Sequence, residues 1–210
     1  MSLMPSTGTS MAEFNQPRKH MKKFITALTL IAAAATASAG DLTGTVKYDY
    51  DRVEHAPFAS LHQAKFGLAY AGQYGAVDGS LVAAQQVGAA RLNGTGFELG
   101  YSNGLTIGKL GLTGRLGFTQ VQFEPVGGRS DVYSAAVRAS YPLDAKHTAV
   151  GEYEYRHYDL EGADPMNANR FGAGIRVAVT DKVAVTGLAF RSRIEGRDAN
   201  GLSVRLGYKF

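Results

Sequence analysis

The stretch Leu202-Ser203-Val204-Arg205-Leu206-Gly207-Tyr208-Lys209-Phe210 decides how this chain is read. Side chains of an extended strand alternate between its two faces. Leu202, Val204, Leu206, Tyr208 and Phe210 therefore share one face, with Ser203, Arg205, Gly207 and Lys209 on the other. A short alternation of this kind fits the edge of a soluble sheet as well as a strand with lipid on one side. The segments upstream must decide.

Alternation recurs along the chain, while helical periodicity is nearly absent. Ten segments emerge: 42–51, 62–74, 80–90, 96–107, 110–123, 132–141, 148–158, 170–180, 183–195 and 202–210. The third is weakly patterned. The end of the fourth is open, because Asn103-Gly104 is a hairpin-turn dipeptide, and eight strands remain an alternative. Most segments run to about 9–11 residues, the length of a tilted bilayer-crossing strand and longer than the usual globular strand. Links from odd to even segments (53–60, 92–95, 124–131, 160–169 and 196–201) look longer than those from even to odd (75–79, 108–109, 142–147 and 181–182). Drawn up and down, the chain collects Tyr48, Tyr50, Phe97, Phe118, Tyr133, Tyr153, Tyr155, Phe171 and Phe190 toward one end. Tyr70, Tyr74, Tyr141, Tyr208 and Phe210 collect toward the other. Two aromatic girdles are the mark of a wall with two water interfaces.

The N-terminal region reads differently. Met21-Lys22-Lys23, the apolar run 24–31, an alanine tract and Ala37-Ser38-Ala39 have the layout of a secretory signal peptide over 21–39. Residues 1–20 precede it without periodicity and are read as an upstream extension outside the native fold. Residues 40–210 form one domain. There is no Cys, so neither a disulfide framework nor a lipid-anchored cysteine is available. Much of the net charge of +4 comes from Arg18, Lys19, Lys22 and Lys23, so the basic balance is no argument for nucleic acid.

An alternating strand that closes on Phe210, behind a signal peptide, resembles the final strand of bacterial outer-membrane β-barrel proteins. The resemblance covers the signal and the whole mature chain, and it implies several expectations. The fold is all-β: a single transmembrane antiparallel up-and-down barrel of about ten strands. Tyr208 and Phe210 form the signal read by the barrel-assembly machinery. The surroundings are outer-membrane lipid and lipopolysaccharide. A lipocalin-like soluble barrel or a sandwich, apolar inside, is the competing architecture.

With the apolar faces turned to lipid, the opposite faces line a lumen. They carry Lys47, Lys65, Arg115, Arg138, Arg156, Arg176, Arg191, Arg193, Arg205 and Lys209 against Asp49, Asp51, Glu98, Glu152, Glu154 and Glu195. These charges either pair into a plug or leave a narrow path with surplus positive charge for small anionic solutes. Arg176, Arg191 and Arg193 are the expected constriction. Arg115, Arg138, Arg205, Glu152 and Glu154 complete the candidate lining. The function expected is therefore porin-like passage or a structural envelope role, without a cofactor or metal and without catalysis. The alternative is an outer-membrane protease or lipid A-modifying enzyme, for which His157 with Asp159, His55, His62 or a Ser/His arrangement would supply the chemistry. No metal-ligand spacing such as HExxH occurs.

Overall fold

The computed structural model describes residues 41–53, 60–87, 91–124 and 128–210. The expected signal peptide and upstream extension lie outside them. Ten strands follow in chain order: β1 (Asp41–Val53), β2 (Ser60–Gly72), β3 (Gly75–Val87), β4 (Arg91–Ile107) and β5 (Leu110–Glu124), then β6 (Arg129–Pro142), β7 (His147–Leu160), β8 (Met166–Ala178), β9 (Val183–Ile194) and β10 (Arg197–Lys209). Each pairs antiparallel with its sequence neighbours, and β1 pairs with β10 to close the circuit. Closure leaves no edge strand, so the backbone groups of the wall find partners without water.

The architecture is a single up-and-down barrel of ten strands, and the eight-strand alternative is excluded. Asn103 and Gly104 do not turn. They pair with Gly114 and Thr113 inside the β4–β5 ladder. The strands are 12 to 17 residues long, which exceeds the expected 9–11. Part of that length came from segments read as loops: of the link placed at 196–201, residues 197–201 are strand, and the β9–β10 turn is only Glu195-Gly196. Both turn residues have positive φ (46° and 78°), as a tight hairpin of right-handed twist requires. At the inner end, Asp144 holds the β6–β7 turn by accepting from the backbone N–H of Lys146 (2.7 Å) and of His147 (2.8 Å), and from the His147 ring. These bonds, the Lys146 N–H first, push its carboxyl down to about 2. A depressed carboxylate stabilises the fold above its unfolded value near ~3.9, and loses that contribution as pH falls toward 2.

The barrel is inside-out relative to a soluble protein. Phe66, Leu81, Leu99, Leu116, Val137, Phe171, Leu202, Val204 and Leu206 stand exposed on the outer wall. The inner wall buries Asp49, Lys65, Glu154, Arg170 and Ser203. An apolar exterior around a charged interior is stable where hydrocarbon, not water, surrounds the wall. Rings on neighbouring strands touch near the outer end, as in Phe97–Phe118 (centroids 5.9 Å), Phe118–Tyr133 (5.3 Å) and Tyr153–Phe171 (4.8 Å). At the inner end Tyr208 stacks edge-on to Phe210 (5.2 Å), and the Phe210 N–H donates to the Leu42 carbonyl.

One expected girdle residue is elsewhere. Phe190 is 5% exposed and lies inside the lumen. Its neighbour across β10 is Gly201, where a Cβ would meet the Tyr50 carbonyl at 2.1 Å and the Phe190 ring at 2.3 Å. Gly201→Val should therefore force the ring and the wall apart. The urea midpoint of the refolded protein should fall by the equivalent of about 1–3 kcal/mol or more. An unchanged midpoint would refute this packing.

Candidate functional site: the interior of the barrel

Lumen-facing positions follow from the ladders, since directly opposed residues share a face. Lys47 stands between Lys65 and Arg205, Glu98 opposite Thr119, Arg138 opposite Glu152, and Glu154 opposite Arg170. Arg115, Arg138, Arg176, Arg205, Glu152 and Glu154 thus all face inward. Tyr208 and Phe210 sit at the inner rim of the outer wall.

Arg191 and Arg193 do not join them. They share a face with Val183 and Val185, whereas Leu188, Phe190 and Ser192 are the buried, inward residues of β9. The Arg191 side chain is 68% exposed on the outer wall, where it pairs with Asp198 (2.6 Å). The expected constriction of Arg176 with Arg191 and Arg193 therefore does not exist. The reason is that β9 carries apolar side chains on both faces, so alternation alone does not say which is lipid. Val183 and Val185, at the membrane-spanning part of the arginine face, were the signal. Glu195, also placed in the lumen by alternation, lies in the β9–β10 turn and accepts from the Asn167 N–H.

The centre of the lumen is built around a residue that alternation did not single out. Arg170 on β8 reaches Asp49 on β1 (Nη2 to Oδ1, 3.5 Å) and Glu154 on β7 (3.6 Å), with its guanidinium carbon 3.4 Å from the Phe190 ring centroid. A cation over a ring face gains from the quadrupole, and more so when desolvated. Lys47 Nζ lies 2.9 Å from the second Asp49 oxygen, and Arg156 pairs with Glu154 at 2.7 Å.

A second group fills the wall opposite. Lys65 pairs with Glu98 (2.5 Å), and Arg115 bridges Glu98 (2.7 Å) and Asp78 (2.6 Å). Thr119 Oγ1 donates to Glu98, and Arg138 binds Glu152. Gly100 leaves the room for Arg115, because a Cβ there would stand 2.3 Å from its guanidinium.

Toward the outer end the packing turns apolar, with Val82, Ala84, Val121 and Phe123 in one cluster. Asp49 is 1% exposed, covered by its partners Lys47 and Arg170. At the inner end lies a cavity of about 490 Å³ whose lining includes Arg176, Lys146, Lys182, Lys209 and Asp181.

The candidate catalytic groups lie on the outer wall. His157 Nδ1 donates to the Asn167 Oδ1 (2.9 Å) and not to Asp159, which pairs in register with Asp131. His55 is outside the described residues. His62 links Ser60 Oγ (Nε2, 3.2 Å) to the Tyr48 hydroxyl (Nδ1, 2.6 Å).

No protein-family model matches the sequence, and no curated protein matches it. Solved structures do match in fold. The β-domain of the Bordetella autotransporter Brka superposes with a TM-score of 0.52 at 10% identity, over 82% of this chain and 99% of that one. An outer-membrane channel from Pseudomonas putida F1 gives 0.52 at 12% identity, over 82% and 96%. The chain spans 62% of the length of an outer-membrane protein of Vibrio cholerae that it matches at 15% identity and a TM-score of 0.42, over 79% of its own length. The fold is that of bacterial outer-membrane β-barrels.

Removing Asp49 should show how tightly the interior is balanced. Asp49→Asn leaves Arg170 and Lys47 short of counter-charge and should cost about 3–5 kcal/mol in unfolding experiments. Adding Arg170→Met should recover part of that loss, a coupling measurable in a double-mutant cycle. Additive losses would refute the pair.

Proposed function

We propose that this protein is an outer-membrane barrel with a sealed lumen, serving the envelope as a structural wall element and not as an open pore. The observation that carries this reading is the closure at mid-height: Asp49, Lys65, Glu154, Arg170 and Phe190, from five strands, are all buried inside the ring. Ten strands enclose a narrow interior, which side chains of this size can fill. An anion path would need surplus cations facing water. Instead Lys47, Lys65, Arg115, Arg138, Arg156 and Arg170 each stand against a carboxylate.

Refolded protein in a planar bilayer should stay silent across applied voltages. Arg170→Ala combined with Phe190→Ala should introduce conductance by removing the crossing residues. Steady unitary currents from the unaltered protein would overturn the sealed reading in favour of porin-like passage.

A second reading, a lipid-cleaving enzyme, is favoured by the Ser60–His62–Tyr48 string. With His62 Nδ1–H donated to Tyr48, Nε2 would accept the Ser60 proton as its oxygen attacks an ester carbonyl. This reading expects Ser60 to be labelled by a fluorophosphonate and vesicle phospholipid to be hydrolysed. It expects both signals to vanish in Ser60→Ala. Absence of labelling would end it.

A further inference from the structure

The outward turn of Arg191 and Arg193 leaves a membrane barrel with guanidinium groups on its outer wall. Their height explains how they are tolerated. Arg191 stands opposite Phe171, a ring of the outer girdle that is 62% exposed, and Arg193 is one step nearer the β9–β10 turn. Both lie on the end of the wall away from Asp41 and Phe210. Arginine on a lipid face is costly at the bilayer midplane and close to neutral near an interface. These side chains therefore sit where hydrocarbon gives way to headgroups.

They are not alone at that level. Across β10, Asn200 is the register partner of both Arg191 and Arg52, so a third exposed arginine continues the row on β1. Asn169 on β8 stands opposite Arg193. The carboxylates nearby are Asp198, bound to Arg191 and opposite Arg193, and Glu195 in the adjoining turn, which accepts from the Asn167 N–H. Three guanidiniums against these two carboxylates, on four adjacent strands, form a surface with surplus positive charge. Immediately below it lie Phe171, Leu202 and Tyr50.

The geometry points to a binding site for a phosphorylated glycolipid of the outer leaflet. Its phosphate groups would be held by Arg52, Arg191 and Arg193, and its acyl chains would lie on the apolar wall beneath. This inference rests on the outer-membrane part of the reading above, but not on whether the lumen is sealed. Guanidinium forks match phosphate oxygens bidentately, and the planar fork loses little on binding. The Asn169 amide, whose Oδ1 accepts from the Tyr153 hydroxyl, adds an N–H donor for sugar hydroxyls. Arg129, also on the outer wall, is a built-in contrast: its guanidinium is bound to Asp131, and it stands on β6, outside this row.

The test uses the full protein refolded in neutral micelles, with folding checked by its heat-modifiable mobility. Bis-phosphorylated lipid A, dephosphorylated lipid A, phosphatidylglycerol and inorganic phosphate are titrated and read by native mass spectrometry. Lipid A should bind the unaltered protein at least tenfold more tightly than its dephosphorylated form or phosphatidylglycerol. Inorganic phosphate should not displace it. The triple variant Arg52→Gln, Arg191→Gln, Arg193→Gln should lose that preference at least tenfold, while Arg129→Gln keeps it. Equal binding by the folded triple variant overturns the site. Equal affinity for phosphatidylglycerol, or displacement by free phosphate, overturns the glycolipid assignment. Conductance of the same preparation reports on the lumen separately, so failure of one reading does not disguise failure of the other.

Discussion

The structure depends on charge compensation among groups buried on the inner face of the wall. Asp49, Glu154 and Arg170 are removed from solvent on the inner face of a thin wall, and desolvation of each ion costs several kcal/mol before any partner is counted. Compensation is not local to a hairpin. Arg170 joins β8 to β1, Lys65 joins β2 to β4, and Arg115 joins β5 to β3. The interior thus plays the part that an apolar core plays in a soluble domain. Hydrogen bonds and ion pairs fix the cross-section there, and the hydrophobic residues are spent on the outside.

That exchange accounts for where the glycines and the large residues fall. Gly100 and Gly201 lie on the lumen face beside Arg115 and Phe190, the side chains that most need the space. Small positions are paired there with bulky residues that reach across the lumen. One apolar patch of the interior, Val82, Ala84 and Val121, lies toward the outer end.

Much of this was legible in the residues. Period-two alternation carries fold class, strand number and the inward set Arg115, Arg138, Arg205, Glu152 and Glu154, because each of those strands has one charged and one apolar face. Strand ends were less legible, since polar residues such as Asp198 and Asn200 extend β10 beyond the apolar segment and look like loop. β9 was misread for a physical reason: lipid and a packed lumen both accept Leu and Phe, so Leu188 and Phe190 carry no sign of direction. Arg170 was missed as a centre because its importance comes from Asp49, a residue far away in the chain that is brought near only by closure.

The ladder between β1 and β10 acquires a further meaning from the residues beside it. Lys47, Asp49 and Arg205 lie on the two strands of that seam, and Asp49 stands between Lys47 on its own strand and Arg170 on β8. A sheet whose ends have not joined holds Asp49 and Arg170 apart. Ring closure is therefore the step that brings this buried carboxylate to its distant guanidinium, and a foreign strand at that edge would leave Arg170 without Asp49.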